Sequence, residues 1–281
     1  MNTIRFLFLI FILLLTQSCS GPTVLMGFQA VTESEDGVYI GKVRNNKRHG
    51  NGTLKYLDGR IYVGKWRDGK QNGKGVLTYP DGSRYIGQWR DGKQSGKGIL
   101  TFPDKRRYVG EWHNGKYGGK GRLQLENGDL YVGEFHKGKQ SGNGVLTFKD
   151  KRQYVGEWAY GEYEGEGTLT YKDGRIYIGE WVDGEHEGKG TLTYPDGRKY
   201  EGMWFEGKPH GYGRYTWVNG NSYSGEYVNG NPQGKGTYTY AGGIKFTGTF
   251  IKGVPTGMGK VVMPNGREFT GPATKEPLPS F

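Results

Sequence analysis

One phrase, repeated without an inserted or deleted residue, constrains what this chain can fold into more than any other feature. "YVGKWRDGKQNGKG" at residues 62–75 returns as "YIGQWRDGKQSGKG" at 85–98 and as "YVGEWHNGKYGGKG" at 108–121. The aromatic-x-Gly triplet that opens it recurs every 23 residues, from Tyr39 through Tyr62, Tyr85 and Tyr108 to Phe246 and Phe269, which makes ten full repeats and the start of an eleventh. A fixed period of this length describes units that stack on their neighbours, because one unit alone cannot bury its apolar face.

Positions in the unit are numbered 1 to 23 from the opening aromatic, with residues 62–84 as the type. Positions 1 to 5, "YVGKW", alternate as a strand does, and positions 15 to 18, "VLTY", do so again. Neither run is long enough for a stable helix. "RDGKQNGKG" joins the two strands inside the repeat and "PDGSR" leads to the next repeat. Pro-Asp-Gly predicts a type I turn whose glycine enters the left-handed region, making a three-residue hairpin loop with a G1 bulge. Leu77 then lies across from Tyr85, and Tyr62, Gly64, Trp66, Leu77 and Tyr79 share one face. A two-residue loop would send Leu77 and Tyr79 to the other face.

Nearly all of the 53 glycines fall at positions 3, 8, 12, 14 and 21. Those at 8 and 21 suit positive φ, which Asn46 at position 8 also tolerates. Glycine at position 3, as in Gly64 and Gly87, leaves room for rings to lie over the backbone. Lys105 and Lys151 replace glycine at position 21, where a left-handed lysine costs about 1 kcal/mol. Those two hairpins are expected to deviate.

The repeated residues resemble the MORN repeat (membrane occupation and recognition nexus), whose pattern runs approximately Tyr-x-Gly-x-Trp-x-x-Gly-x-x-x-Gly-x-Gly, then an aromatic-bearing strand and Asp-Gly. The resemblance covers residues 39–271 and implies an all-β fold, an elongated, twisted single-layer antiparallel sheet of tandem β-hairpins. It fades toward the end, where Met203 replaces the usual acidic or polar residue and "IKGVPTGMGK" loses most loop charges. About 21 strands spaced by about 4.8 Å make a rod on the order of 100 Å long. The chain divides into a signal peptide (1–18), a tether with an N-terminal half-repeat at "FQAVT" (19–37), the array (38–271) and a proline-rich tail (272–281).

The signal-peptide reading rests on Arg5 followed by the apolar run "FLFLIFILLL" at residues 6–15 and then small and polar residues. Ten apolar residues fall short of the roughly 20 that cross a bilayer. Cys19, the one cysteine, has no intrachain partner and follows this run directly. Its setting resembles the lipobox of bacterial lipoproteins, which implies lipidation of Cys19 and anchoring in the cell envelope. Leu15 stands four residues before Cys19 where the lipobox has leucine at three, and Thr16 and Ser18 also suit an ordinary signal peptidase, so simple secretion is the alternative. Several acyl chains anchor firmly where one gives marginal binding. Loss of residues 1–18 removes only Arg5 among charged residues, so the formal charge falls from +11 to +10. Export takes such a basic chain away from nucleic acid and toward anionic headgroups, acidic wall polymers or acidic protein surfaces.

No reaction centre emerges from the repeats. Of the five histidines, His49, His113, His136, His186 and His210, only His113 and His136 share a position, and a repeat spacing of about 9.6 Å keeps two imidazoles from one zinc; all five read as surface residues. Glu111, Glu134, Glu157 and Glu180 form a column at position 4, spaced too widely for a retaining glycosidase pair and pointing away from the aromatic face. "GKQNGKG" lacks the phosphate-loop spacing and leads into a strand. The chain reads as non-enzymatic, with no cofactor, metal, nucleic acid or small-molecule substrate.

Two surfaces invite a partner. The first is a groove lined by Trp66, Trp89, Trp112, Trp158, Trp181 and Trp204 with Tyr62, Tyr85 and Tyr108, whose rings either stack on a partner or serve as the rod's own core. The second is a basic edge of Lys47, Lys70, Lys93, Lys116 and Lys139 at position 9, which gives way to Glu162 and Glu185. The expected role is an exported, lipid-anchored scaffold that binds protein. Anionic membrane lipid and cell-wall glycan are the alternative ligands.

Overall fold

The computed structural model describes residues 24–26 and 29–272. The expectations for the signal peptide, for Cys19 and for the tail beyond Pro272 lie outside the described residues. Twenty-three strands follow one another as a single meander, from β1 (Val24–Met26), β2 (Gln29–Ser34), β3 (Gly37–Arg44) and β4 (Lys47–Tyr56) to β23 (Glu268–Pro272). Each strand pairs antiparallel with those before and after it. Among the described residues no pairing joins β1 to β23, so the sheet is open. The first full repeat has strands of eight and ten residues, and each full repeat after it contributes a seven-residue and a nine-residue strand, as in β5 (Ile61–Arg67) and β6 (Lys70–Thr78), then β7 (Arg84–Arg90) and β8 (Lys93–Thr101).

The turn between repeats has the expected geometry. Tyr79 N–H donates to the Ser83 carbonyl at 2.9 Å and Gly82 N–H to the Tyr79 carbonyl at 3.0 Å. Leu77 therefore pairs with Tyr85. In several repeats the loop carries a clamp that the sequence reading did not anticipate. Arg60 donates to Asp58 at 2.7 Å and lies over the Tyr56 ring at 4.5 Å, and Arg106, Arg152, Arg175 and Arg198 repeat the arrangement.

Lys105 and Lys151 do enter the left-handed region, at φ 74° and 76°. Their hairpins do not deviate, however, because Lys105 N–H still reaches the Phe102 carbonyl at 3.2 Å and Lys151 N–H the Phe148 carbonyl at 3.0 Å. The ladder on either side and the Arg106 clamp over Phe102 hold the turn against the strain. Lys105→Gly is expected to raise stability by about 1 kcal/mol, read as a higher urea midpoint; no gain would mean that the strain is absent.

The connection inside the repeat differs more from expectation. It is no nine-residue loop but a two-residue type I′ turn at Asp68 and Gly69, with φ 50° and 87°, after which the chain returns directly to strand at Lys70. The strand escapes a reading by hydrophobic alternation because its residues are polar and its register slips. Trp66 pairs with Gln71 but Gly64 pairs with Gly75, so three residues of β6 oppose Lys65, with Gly73 at φ 78°. From the second repeat on, each of these turns also ties onto the preceding repeat, Gly69 N–H donating to the Arg48 carbonyl and Gly92 N–H to that of Gln71, both at 3.0 Å.

The core is a file of rings along one face. Tyr62 lies flat over Gly64 and Gly75, its hydroxyl donating to the Lys65 carbonyl at 3.0 Å, and Trp66 and Trp89 meet its ring edge-on, both at 5.1 Å. The motif runs from Tyr39 to Tyr223. Phe246 has no hydroxyl to offer, and there the Thr249 carbonyl accepts from the Thr256 hydroxyl at 3.2 Å instead.

Candidate interaction surface

The aromatic ladder is enclosed by its own members. Trp66, Trp89, Trp112, Trp158, Trp181 and Trp204 are 3–5% exposed, and Tyr62, Tyr85 and Tyr108 are fully buried. Each indole packs against the tyrosines of two repeats, and the side chain at position 10 closes what space is left: Tyr117 stacks on Tyr108 at 3.8 Å and Tyr163 on Tyr154 at 3.7 Å. Of the two roles the sequence left open for these nine residues, the geometry supports that of core; as an open groove they have no room for a ligand. Burial pushes the Tyr163 and Tyr171 phenols up to about 12, so both stay protonated near neutral pH. An apolar cavity of about 290 Å³ remains where the array runs out, between Tyr240, Ile244, Phe246, Val261 and Pro272.

His186 corrects the expectation that all five histidines lie on the surface. It takes position 10, stacks on Tyr177 at 3.7 Å, meets Trp181 and Trp204 edge-on, and shares a hydrogen bond of 2.9 Å with the Tyr171 hydroxyl. Burial lowers its pKa from 6.5 to about 4. The folded state thus resists a proton that the unfolded state accepts, so stability is full above pH 6.5 and falls as pH drops toward 4. About 2 kcal/mol should be lost across that window. His186→Gln places there the residue found at Gln71, Gln94 and Gln140 and should flatten the pH dependence of the urea midpoint; an unchanged slope would refute the assignment. Among the described residues no cluster of three His, Cys, Asp or Glu side chains is placed to hold a metal ion.

The opposite face of the ribbon is the open one. Val63 pairs with Val76, Val76 with Ile86 and Ile86 with Ile99, and the row continues through Val132, Val155 and Ile178. These side chains are substantially exposed, Val63 at 50% and Ile178 at 55%. Positions 4 and 13 form a parallel charged row beside them, with Lys65 and Lys74 in one repeat and Glu157 and Glu166 in another. The glutamate column of Glu111, Glu134, Glu157 and Glu180 belongs to this row, away from the rings as expected. Paired glycines floor shallow troughs between the two rows, one of about 480 Å³ beside Val63 and Ile86 and one of about 610 Å³ beside Ile178 and Met203.

The basic edge borders the same face. Lys47, Lys70, Lys93, Lys116 and Lys139 are all exposed, and the structure sets three of them directly across from arginines: Arg44 from Lys47, Arg67 from Lys70 and Arg90 from Lys93. Like charges in such cross-strand pairs repel. Asp68 and Asp91, each 3.7 Å from the arginine of the preceding repeat, offset part of that repulsion. The Val/Ile stripe was missed by sequence reasoning, although its residues stand in plain alternation at positions 2 and 15. The aromatic face drew attention because its residues are larger.

The MORN repeat family matches the chain at residues 39–59, 62–84, 85–105, 108–130, 131–151, 154–174, 177–197, 200–222, 223–245 and 246–266. No curated protein matches it. Among solved structures, the TCP10 domain of Danio rerio CPAP in complex with a STIL peptide is similar at 14% identity and a TM-score of 0.41, over 84% of this chain and 99% of that one. The TCP domain of Drosophila melanogaster SAS-4 with a proline-rich motif of Ana2 is similar at 16% identity and a TM-score of 0.38, over 64% and 90%.

Proposed function

The chain belongs to the MORN repeat family, and from that premise we propose that it is an exported, lipid-anchored, non-enzymatic scaffold that presents one face of its ribbon to a protein partner. The observation that carries this reading is the division of labour between the faces. The rings that the sequence offers as a stacking surface form the core, while the opposite face exposes a Val/Ile-rich stripe beside ordered charge. An apolar centre with a charged rim is the anatomy of a protein interface. The N-terminal run and Cys19 supply the export and the anchor.

Crosslinking in intact envelopes tests it. The chain should form a defined adduct with a protein through residues of the Val/Ile face, and Val63→Asp with Ile86→Asp should abolish that adduct while leaving the fold intact. Adducts formed only through the aromatic face, or unaffected by the two substitutions, would overturn it.

The paired basic residues of the edge favour a second reading, binding to anionic phospholipid. The chain from residue 20 onward, which cannot be acylated at Cys19, should then sediment with phosphatidylglycerol vesicles and be released as ionic strength rises, since such contacts are screened over about 8 Å at physiological salt. Failure to sediment at low salt would remove this reading. Binding to purified peptidoglycan would revive the glycan alternative.

A further inference from the structure

We propose that the Val/Ile face docks against the same face of a second copy of this chain, running antiparallel about a two-fold axis parallel to the strands and close to β10 (Lys116–Gln124). This rests on the reading that the Val/Ile face is the working surface, and it names an occupant.

Charge on the open face selects this occupant. Strands β3 to β8 carry no acidic residue, the four aspartates of this stretch, Asp58, Asp68, Asp81 and Asp91, all lying in the turns between them. On the open face they place Lys42, Lys65, Lys74 and Lys97 in the row beside the apolar stripe, with Arg67 and Lys70 at the edge. None of those four lysines has an ion-pair partner among the described residues. Strands β13 (Gln153–Ala159) to β17 (Lys199–Phe205) reverse the sign. Their only basic residues are Lys189 and Lys199, and Glu157, Glu166 and Glu180 occupy the same row, with Glu162 and Glu185 at the same edge. The stripe runs in one direction from one half into the other; Arg122 interrupts it near the middle, and Thr53, Thr168, Thr191 and, at its far end, Glu201 take single places in it.

A ribbon that is positive in one half and negative in the other along one row is complementary to itself when reversed. The stated axis leaves each row at its own height across the sheet, so stripe meets stripe and charged row meets charged row. It exchanges the ends, so β5 and β6 face β15 (Ile176–Val182) and β14 (Glu162–Thr170), bringing Lys65 toward Glu180 and Lys74 toward Glu166. A two-fold interface of this kind is isologous and closes on itself. Parallel alignment would instead set lysine against lysine and glutamate against glutamate. From β3 to β17 the contact is about 65 Å long, and the rows from position 23 to position 4 are about 13 Å across. That is on the order of 800 Å² per copy, the size of a standard stable interface.

The test is a charge exchange on the full chain, purified in a mild detergent, with molar mass measured by light scattering. The unaltered chain should run at twice its monomer mass and dissociate at least tenfold more readily at about 1 M than at about 0.05 M salt. Lys65→Glu with Lys74→Glu and Lys97→Glu should be monomeric, and so should Glu157→Lys with Glu162→Lys and Glu166→Lys. All six side chains are exposed, so circular dichroism should be unchanged. Mixed in equal amounts, the two variants should form a dimer of one copy of each. A monomeric unaltered chain, a dimer indifferent to either triple change, or a mixture that stays monomeric would overturn the proposal. A monomeric chain whose envelope adducts still depend on Val63 and Ile86 would sink the self-pairing while leaving the scaffold reading intact.

Discussion

Trp89→Ala is expected to lower the stability of the array by about 4 kcal/mol, the range found when a buried tryptophan is truncated. Its indole is 5% exposed and packs edge-on against Tyr62 at 5.1 Å and Tyr85 at 5.2 Å, so one side chain is shared by two repeats. The indole nitrogen has no hydrogen-bond partner among the described residues, which makes the loss one of packing alone. In an array held by contacts between neighbours, removal of a shared ring weakens one junction and leaves the others. Denaturant unfolding should therefore broaden or split into two steps, with faster amide exchange confined to the repeats on either side of Trp89. Lys70→Ala, on the exposed edge, should change stability by less than about 0.5 kcal/mol. A Trp89→Ala loss below about 1 kcal/mol would show that the ladder is not the core.

The second large effect comes from adding one carbon. Gly75→Ala should cost about 3 kcal/mol, because a Cβ there would sit 2.3 Å from the Tyr62 hydroxyl and 2.5 Å from its ring. The ring cannot move aside, being held by its hydrogen bond to Lys65 and by two indoles. Gly69→Ala separates space from backbone strain. Gly69 has φ 87° and open space around its Cβ direction, so only the left-handed penalty of about 1 kcal/mol applies. Urea midpoints of both variants decide the matter, and equal losses would contradict the account of why glycine occupies position 14.

Much of the fold could be read from the chain because the signals repeat. The 23-residue period, the Pro-Asp-Gly turn and the alternation "YVGKW" agreed on one register, and Tyr85 does pair with Leu77. What failed to show was the long second strand, since "KQNGKG" has no apolar alternation and its bulge breaks the count of two. Glycine at position 12 was legible as a fixed feature but not as the left-handed residue of that bulge. His186 looked like any polar residue until its neighbours in space were known. The candidate surface was half legible: the lysine edge is where the pattern put it, whereas the rings chosen as a groove turned out to be covered.

The sequence by itself determined the family, the period, the turn between repeats and the two-faced character of the strands, because each follows from spacing along the chain and from local backbone preference. Only the tertiary structure decided which face is closed and which is open. Tyr62 is buried because Trp89, 27 residues later, lies against it, and Arg67 borders the exposed stripe because a two-residue turn folds Lys70 across from it. Burial and charge pairing depend on residues brought together across strands, and no count along one strand contains them.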